Sequence, residues 1–459
     1  MNIIIVGDGK VGYTLAEHLV LEEHNITIID KNEEALRKAD ESLDVMCVKG
    51  NGARISVLKE AGIEEADILI AVTSRDEMNM VCCLTAKRIA NVRTIARIRD
   101  PEYFEEYSAL RENMGIDMII NPEFSAAYEI AKILQFPSAM NVQNFFGGRV
   151  RLAEFRIKEG DTLLVGKKLS QLADRLPRNI LFTAVERENQ ILIPNGEFEF
   201  QAEDLVYIMG SVNDCARFFR YLDRLTHRIN SVMIVGGGRT AHYLTKIISK
   251  VGMNVKILEI DSKKCIELSE TLDAMIIEGD GTNPGILDSE NVEDVDAFIT
   301  MMGRDEENLI TAMYALDKGV DKVIAMTTRV NLPSIINRLG LDSVVSPKLV
   351  TAGYILCYVR GIQNSQGSVV ESVYKIADGK AEVISFRANE STRFLNKPLR
   401  ELKLRPNTLI GCIEHEGKAI IPHGNERIQD GDKVLIISKE DHVIMDLNDI
   451  IAYRVEAVQ

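Results

Sequence analysis

The chain opens on an apolar run, "NIIIV" (2–6). The loop "GDGKVG" follows, and then "YTLAEHLVLEEH", whose apolar residues recur at helical spacing. The alternation continues with "NITIID" (25–30), "DVMCVKG" (44–50), "ADILIAVT" (66–73), "RTIARI" (93–98) and "DMIINP" (117–122), each separated from the next by a helical stretch. Short apolar strands joined by helices predict a parallel sheet covered on both faces, the doubly wound arrangement. Beyond about residue 149 the period changes. "RVRLAEFRI", "LFTAVER" and "LVYIMG" are short alternating runs broken by Gly, Asn and Pro. They predict a small, mostly β lobe of the α+β kind with one helix. Linkers are expected near "QFPSAMNVQNFFGG" (135–148) and "RGIQNSQGS" (360–368).

The whole pattern is written twice. At an offset of 229, Gly7, Gly9 and Gly12 fall on Gly236, Gly238 and Ala241, Asp30 on Glu259, and "RDEMN" (75–79) on "RDEEN" (304–308). At 225, Pro122 falls on Pro347; at 228, "NILFTAVERENQILIPNG" falls on "NTLIGCIEHEGKAIIPHG". So many matches at nearly one offset define a tandem duplication of a two-part unit. The expected fold is therefore α/β: two tandem Rossmann-like doubly wound lobes at 1–135 and 229–358, each followed by a small β-rich α+β C-terminal lobe at 145–226 and 370–459.

Each glycine of the loop has a steric task. Gly7 permits the turn after the strand, Gly9 lets backbone approach a pyrophosphate, and Gly12 allows close helix–strand packing. The N–H groups of Lys10, Val11 and the helix beyond then face a phosphate, aided by the helix dipole. Asp30 ends the second strand, where an acid accepts hydrogen bonds from ribose hydroxyls and disfavours a 2′-phosphate. That points to NAD or an adenine nucleotide rather than NADP. The fingerprint recurs as "GGGRTA", with Gly236, Gly238, Arg239, Thr240 and Glu259. The third strands end in "GNG" and "GDG", placing Asn51, Gly52, Asp280 and Gly281 either beside an adenine or in a simple strand-end turn. Thr73 and Ser74 could donate to ribose or phosphate; Met302 and Gly303 replace them in the second copy. The Arg-Asp-Glu that follows suits a helix start. Asp8 is an acid close to the expected phosphates and opposes a triphosphate unless Lys10, Arg97 or Mg²⁺ compensates.

Composition narrows the function. With 54 basic and 69 acidic residues the net charge is −15, which opposes general nucleic-acid binding. Seven scattered cysteines read as reduced thiols of a cytosolic protein, with Cys82 and Cys83 as helix packing. No apolar stretch reaches the roughly 20 residues of a membrane span, and the stretch "MNIIIVGDG" lacks the basic n-region expected of a signal peptide. The expectation is a soluble, cytoplasmic chain that meets a membrane only through a partner. The seven histidines (His18, His24, His227, His242, His415, His423, His442) form no catalytic pattern, with His18 and His24 expected at the surface or in a cap. There is no metal cluster, G-x-S-x-G or Walker A signature. That favours sensing over catalysis, leaving a duplicated NAD-dependent oxidoreductase and a free cytosolic nucleotide sensor as alternatives.

The ordered set "GDGKVG", Asp30, "GNGARISVLKEAGIEEADILIAVTSRDEMNM", "ARIRDPEY", "GIDMIINPE" and "FPSAMNV", with the repeated β lobes, resembles the TrkA family. These are the cytosolic nucleotide-binding subunits of Trk potassium uptake systems, built from tandem RCK domains. The resemblance spans essentially the whole chain. It implies self-association into a ring, as a homotetramer, under a membrane-embedded pore subunit of the TrkH/TrkG type. It also implies a regulatory role without catalysis, with NAD⁺, NADH or ATP/ADP with Mg²⁺ in the Rossmann clefts. By the same resemblance Gly7, Gly9 and Gly12 cradle phosphate and Arg97 lies near the ligand. Lys10 and Arg239 either reach a phosphate held by the neighbouring lobe or are solvated helix-start cations. Glu123 resembles a glutamate near a divalent ion in some relatives; its counterpart is Lys348, and that of Arg97 is Met326. The first copy is expected to be the regulatory site, the second weaker or architectural.

Overall fold

The computed structural model describes residues 1–172, 176–177, 179–188, 190–224, 228–328, 341, 343–363, 368–377, 379–439 and 444–452. His227 and His442, and residues 364–367 of the second expected linker, lie outside them. The chain divides into two compact units, Met1–Ala131 with Asn230–Ala352, and Lys132–Ile229 with Gly353–Gln459.

The first unit holds two parallel sheets. In the first copy the strands are β1 (Asn2–Val6), β2 (Asn25–Asp30), β3 (Met46–Lys49), β4 (Ile68–Ala71), β5 (Arg93–Arg97) and β6 (Met118–Ile120), in the order β3-β2-β1-β4-β5-β6. The helices between and after them are α1 (Lys10–Leu21), α2 (Glu33–Ser42), α3 (Ile55–Glu60), α4 (Asp76–Ile89), α5 (Pro101–Glu105), α6 (Tyr107–Met114) and α7 (Pro122–Gln135). Ile3 to Val6 and Ile68 to Ala71 are buried, as central strands covered on both faces must be. The order reverses between β1 and β4, so the strand ends there open a crevice.

The second parallel sheet repeats the first. With numbering that leaves five strands to the first small lobe, it comprises β12 (Ser231–Val235), β13 (Asn254–Glu259), β14 (Met275–Glu278), β15 (Ala297–Thr300), β16 (Lys322–Met326) and β17 (Ser343–Val345), ordered β14-β13-β12-β15-β16-β17. Helix α8 (Leu169–Leu172) and α9 (Val212–Tyr221) belong to the first small lobe. The second copy then supplies α10 (Arg239–Ser249), α11 (Ser262–Thr271), α12 (Pro284–Ser289), α13 (Asp305–Asp317) and α14 (Pro347–Gln363). Even the caps are duplicated. Asn32 accepts from the amides of Glu34 and Ala35 at the start of α2, and Asp261 from those of Lys263 and Lys264 at the start of α11.

The second unit contains two antiparallel five-stranded sheets. One is built from β7 (Asn141–Phe145), β8 (Val150–Arg156), β9 (Ile180–Arg187), β10 (Gln190–Leu192) and β11 (Leu205–Ser211), ordered β10-β9-β11-β8-β7. The other uses β18 (Val369–Ile376), β19 (Ala381–Arg387), β20 (Thr408–His415), β21 (Lys418–Ile420) and β22 (Lys433–Lys439), ordered β18-β19-β22-β20-β21. Reading one list backwards gives the same topology. The sheets share a core in which Phe145, Tyr207 and Met209 pack with Ile376, Val383 and Leu435.

Three expectations are corrected or refined. The stretch read as the first linker carries strand β7, which pairs with β8 in register Asn141↔Glu154. Its Asn and Gln residues look loop-like, but Val142 and Phe145 are buried, one in each of the two cores that flank the sheet. The start of the second is helix, where buried Arg360 forms a bidentate pair with Glu382 at 2.8 and 2.9 Å. Of the two places expected for His24, surface or cap, the structure shows the cap: its amide donates to Leu19 O at 3.2 Å past the end of α1, and the residue is 5% exposed, because Glu23 at φ 60° turns the chain under the N-terminus, 3.4 Å from His24 Nδ1. Cys82 and Cys83 are buried packing residues, and all seven thiols are free.

Candidate functional site

The ends of β1 to β5 converge on one cleft of about 690 Å³. Gly7 adopts φ +108° after β1, and a Cβ there would lie 2.9 Å from the Thr73 amide nitrogen. A Cβ on Gly12 would lie 1.9 Å from the Gly7 carbonyl oxygen, so helix α1 starts hard against its own loop. Gly9 differs: nothing lies within 4 Å of its Cβ position, which faces open space in the cleft lining.

The structure gathers almost every first-copy residue the sequence singled out. Gly7, Asp8, Gly9, Lys10 and Val11 line the cleft from the loop. Asp30, Asn51 and Gly52 line it from the ends of β2 and β3, and Thr73, Ser74 and Arg97 from those of β4 and β5. Gly12 lies behind the loop. From the second lobe Thr240, Met326, Thr328, Pro347 and Lys348 complete the wall. Lys10 Nζ donates to Thr328 Oγ1 at 3.3 Å.

Charge is divided between the two ends. At one end Asp30 accepts from the amides of Asp8 (2.6 Å) and Asn32 (2.8 Å). Burial and the Asp30 charge push the Asp8 carboxyl up to about 6. At the other end Lys10, Arg97 and Lys348 face the cleft. Burial, then neighbouring Arg99, brings Arg97 down to about 10; burial and Lys10 lower Lys348. Glu123 is raised by burial, and its carboxylate lies 3.8 Å from Arg99 Nη1. Asp8 Oδ1, Arg97 Nε and Glu123 Oε2 are buried in this lining without a hydrogen-bond partner among the described residues. Such orphaned groups carry a desolvation cost that a polar ligand would relieve. The glycine cradle, acid at the ribose end and cations beside the helix start thus fit an adenine dinucleotide.

The second loop is built alike but filled differently. Glu259 is 7% exposed, with Oε2 accepting from Gly237 N at 2.7 Å and Oε1 from Asp261 N at 2.9 Å. Gly236 has φ +103°, and Ala241, fully buried, takes the third glycine position. Gly236, Gly238, Arg239, Glu259, Asp280 and Gly281 do not line the first cleft. Asp280 is exposed and accepts from the Thr282 amide and hydroxyl, a strand-end turn. Arg239 acts electrostatically on Arg97 and Glu123 of the first lobe.

The sequence reading took the repeated Arg-Asp-Glu as a helix start, which Asp76 and Glu77 are. It missed the polar framework behind it. Buried Asn79 accepts from Thr73 N (2.8 Å) and donates to Thr73 O (3.2 Å) and Arg97 O (2.8 Å), tying the ends of β4 and β5 together. Asn308 repeats this with Met302 N, Met302 O and Met326 O. Asp76 accepts from the amides of Arg99 and Asp100, and Asp305 from that of Thr328. The signal was available: Asp and Asn stand at the same two places of both repeats.

Fold and cleft define a tandem Rossmann-like protein of the nucleotide-binding class, with each lobe followed by a β-rich lobe. The TrkA-N domain family matches residues 3–122 and 232–347, and the TrkA-C domain family residues 152–223 and 383–449. The chain is 34% identical over 447 residues to the Trk system potassium uptake protein TrkA homolog 2 of Methanosarcina mazei, covering 95% of this chain and 97% of that one. It is 32% identical over 454 residues to Trk system potassium uptake protein TrkA of Halomonas elongata, covering 97% and 98%. Among solved structures, the GsuK channel bound to NAD aligns with TM-score 0.62 at 17% identity, covering 96% of this chain and 77% of that chain. The GsuK RCK domain aligns with TM-score 0.62 at 18% identity, covering 96% and 92%. The chain belongs to the TrkA family of Trk system potassium uptake proteins.

Proposed function

We propose that the chain is the nucleotide-sensing regulatory subunit of a potassium uptake system. It works at the cytoplasmic face of the membrane, peripherally bound to a TrkH/TrkG-type pore subunit. Its four domains are 1–135, 145–226, 229–358 and 370–459. The observation that carries the reading is the two-lobe wall of the first cleft. Gly9, Lys10 and Asp30 come from one lobe, and Thr240, Thr328 and Lys348 from the other. A ligand seated there touches both and can bias how they pack. It shifts the equilibrium only by its differential affinity for the two arrangements, roughly 10⁴-fold for full switching.

NAD⁺ or NADH fits this cleft better than a triphosphate. Asp8 and Asp30 favour a ribose diol, and the cations Lys10, Arg97 and Lys348 suit a pyrophosphate. ATP/ADP with Mg²⁺ is the competing ligand. Bound nucleotide supplies a signal here rather than a reaction, and the name of the relatives, a potassium uptake protein, supports this over an oxidoreductase. Self-association into a ring, as a homotetramer, would carry the change to the pore. No helix among the described residues is long and apolar enough to cross a membrane.

The test is potassium uptake in cells that supply the pore subunit and this chain. Gly9→Asp should abolish the response to nucleotide, and Gly238→Asp should weaken it less. The reverse order would overturn the assignment of the first cleft as regulatory. NADH consumption coupled to a reduced product would favour the oxidoreductase.

A further inference from the structure

Among the positions at which the two glycine loops differ, one sets a charge against no side chain at all: Asp8 against Gly237. In the second loop a side chain has no room: a Cβ on Gly237 would lie 2.5 Å from Leu268 Cδ1 and 3.0 Å from Glu259 Oε2. In the first loop both obstacles are smaller, since Ala39 stands at the position of Leu268 and Asp30 at that of Glu259. The space so made is occupied by a carboxylate. The Asp8 amide donates to Asp30 Oδ2 at 2.6 Å, and Asp8 Oδ1 is buried without a partner. The two acids share the corner of the cleft at the end of β2, where Lys31 also lines the wall. Lys38, on α2, is the cation that acts on Asp8, and its ammonium lies 5.3 Å from the centre of the Tyr13 ring.

We propose that Asp8 is a second ribose-selecting residue: with Asp30 it admits a nucleotide bearing a free 2′-hydroxyl, and by offsetting Lys38 and Lys31 it stops them from seating a 2′-phosphate. The proposal rests on the reading that the cleft holds an adenine dinucleotide, and deepens it. A diol presents two donors to two carboxylates. A 2′-phosphate would bring like charge against both, in a half-buried site where such charges are weakly screened. With Asp8 removed, one repulsion is lost, and Lys31 in the cleft wall and Lys38 on α2 act on the phosphate without that offset.

The test is the ratio of NADPH to NADH dissociation constants for the full-length chain and for Asp8→Gly, Asp8→Asn and Asp8→Gly/Lys38→Ala, with thermal melting to confirm folding. Wild type should favour NADH. Asp8→Gly should shift the ratio toward NADPH by about tenfold or more, chiefly by tightening NADPH. Asp8→Asn, close in shape, should do nearly the same, and the added Lys38→Ala should take back much of the gain. An unchanged ratio in folded Asp8→Gly and Asp8→Asn that still bind NADH would overturn the role of Asp8 and leave the cleft reading standing. Failure of wild type to bind either dinucleotide would overturn both.

Discussion

The hydroxyl of Tyr243 donates to the carbonyl oxygen of Arg99 at 3.0 Å and accepts from Asn121 Nδ2 at 2.9 Å. Tyr243 starts from α10 of the second lobe and ends among first-lobe groups, edge-on to Phe124 at 5.5 Å and to Phe104 at 5.9 Å. It is 6% exposed, a plug between the lobes that share the cleft. Tyr243→Phe should keep the packing and lose about 1 kcal/mol through the hydrogen bonds. Tyr243→Ala should lose about 3–5 kcal/mol. Denaturant unfolding followed by near-ultraviolet circular dichroism reads both; equal losses would mean that the ring is not packed as described.

The glycine loop makes a sharper distinction. Gly12→Val drives a branched side chain against the Gly7 carbonyl, so the loop or helix must move, and the first lobe should lose about 3 kcal/mol or more. Gly9→Ala meets no atom within 4 Å, and Gly9 has an ordinary φ of −84°. It should leave the melting temperature nearly unchanged while intruding on the ligand space. Weakened nucleotide binding with an intact melt is the expected signature.

Asn79→Ala removes one side chain and strands Thr73 N, Thr73 O and Arg97 O at once. The expected cost is about 3 kcal/mol, well above a surface substitution. It should also loosen the Arg97 end of the cleft, seen as backbone amide shifts at residues 73 and 97. Asn308→Ala should cost a similar amount in the second lobe, because its three bonds are the same.

These residues mark where the sequence was and was not readable. Parallel strands buried on both faces advertise themselves as unbroken apolar runs, so β1 to β6 and their repeats were visible, and with them the cleft residues at the strand ends. Strand β7 was not, because three of its five side chains are polar and its flanks carry Pro and Gly. Asn79 was not, because a buried asparagine differs from an exposed one only in its partners, which come from β4 and β5. The entry of Thr240, Thr328 and Lys348 into the first cleft depends on lobe packing, which no local pattern encodes.

The proposed self-association into a ring leads to a surface prediction. Helix α4 exposes Val81 and Leu84, and α13 exposes Ile310 and Met313, at the same places in the repeat. Exposed apolar positions kept on one helix face in both copies suit a subunit contact. Ile310→Asp, at a site 68% exposed, should lower the assembled mass in light scattering without lowering the melting temperature. An unchanged mass for Ile310→Asp and Val81→Asp together would place the contact elsewhere.

Stability should depend on the charge of Asp8. Its folded-state pKa is raised from 3.8 to about 6, so between those values the folded chain holds the proton more tightly than the unfolded one. The contribution of this group therefore falls as pH rises from about 4 to about 6 and stays low above. Asp8→Asn should be the more stable protein at neutral pH by about 1 kcal/mol, discounted for partial exposure, with the gap closing near pH 4. Paired thermal melts across that range check the sign.

The central claim is that the first cleft takes an adenine nucleotide without turning it over. Calorimetric titration of the full-length chain with NAD⁺, NADH, ADP and ATP, with and without Mg²⁺, tests it most directly when repeated on Gly9→Asp and Gly238→Asp. The expected result is binding without turnover, strongest for NAD⁺ or NADH, lost in Gly9→Asp and largely kept in Gly238→Asp. Absence of binding by all four nucleotides, or full binding by Gly9→Asp, would contradict it.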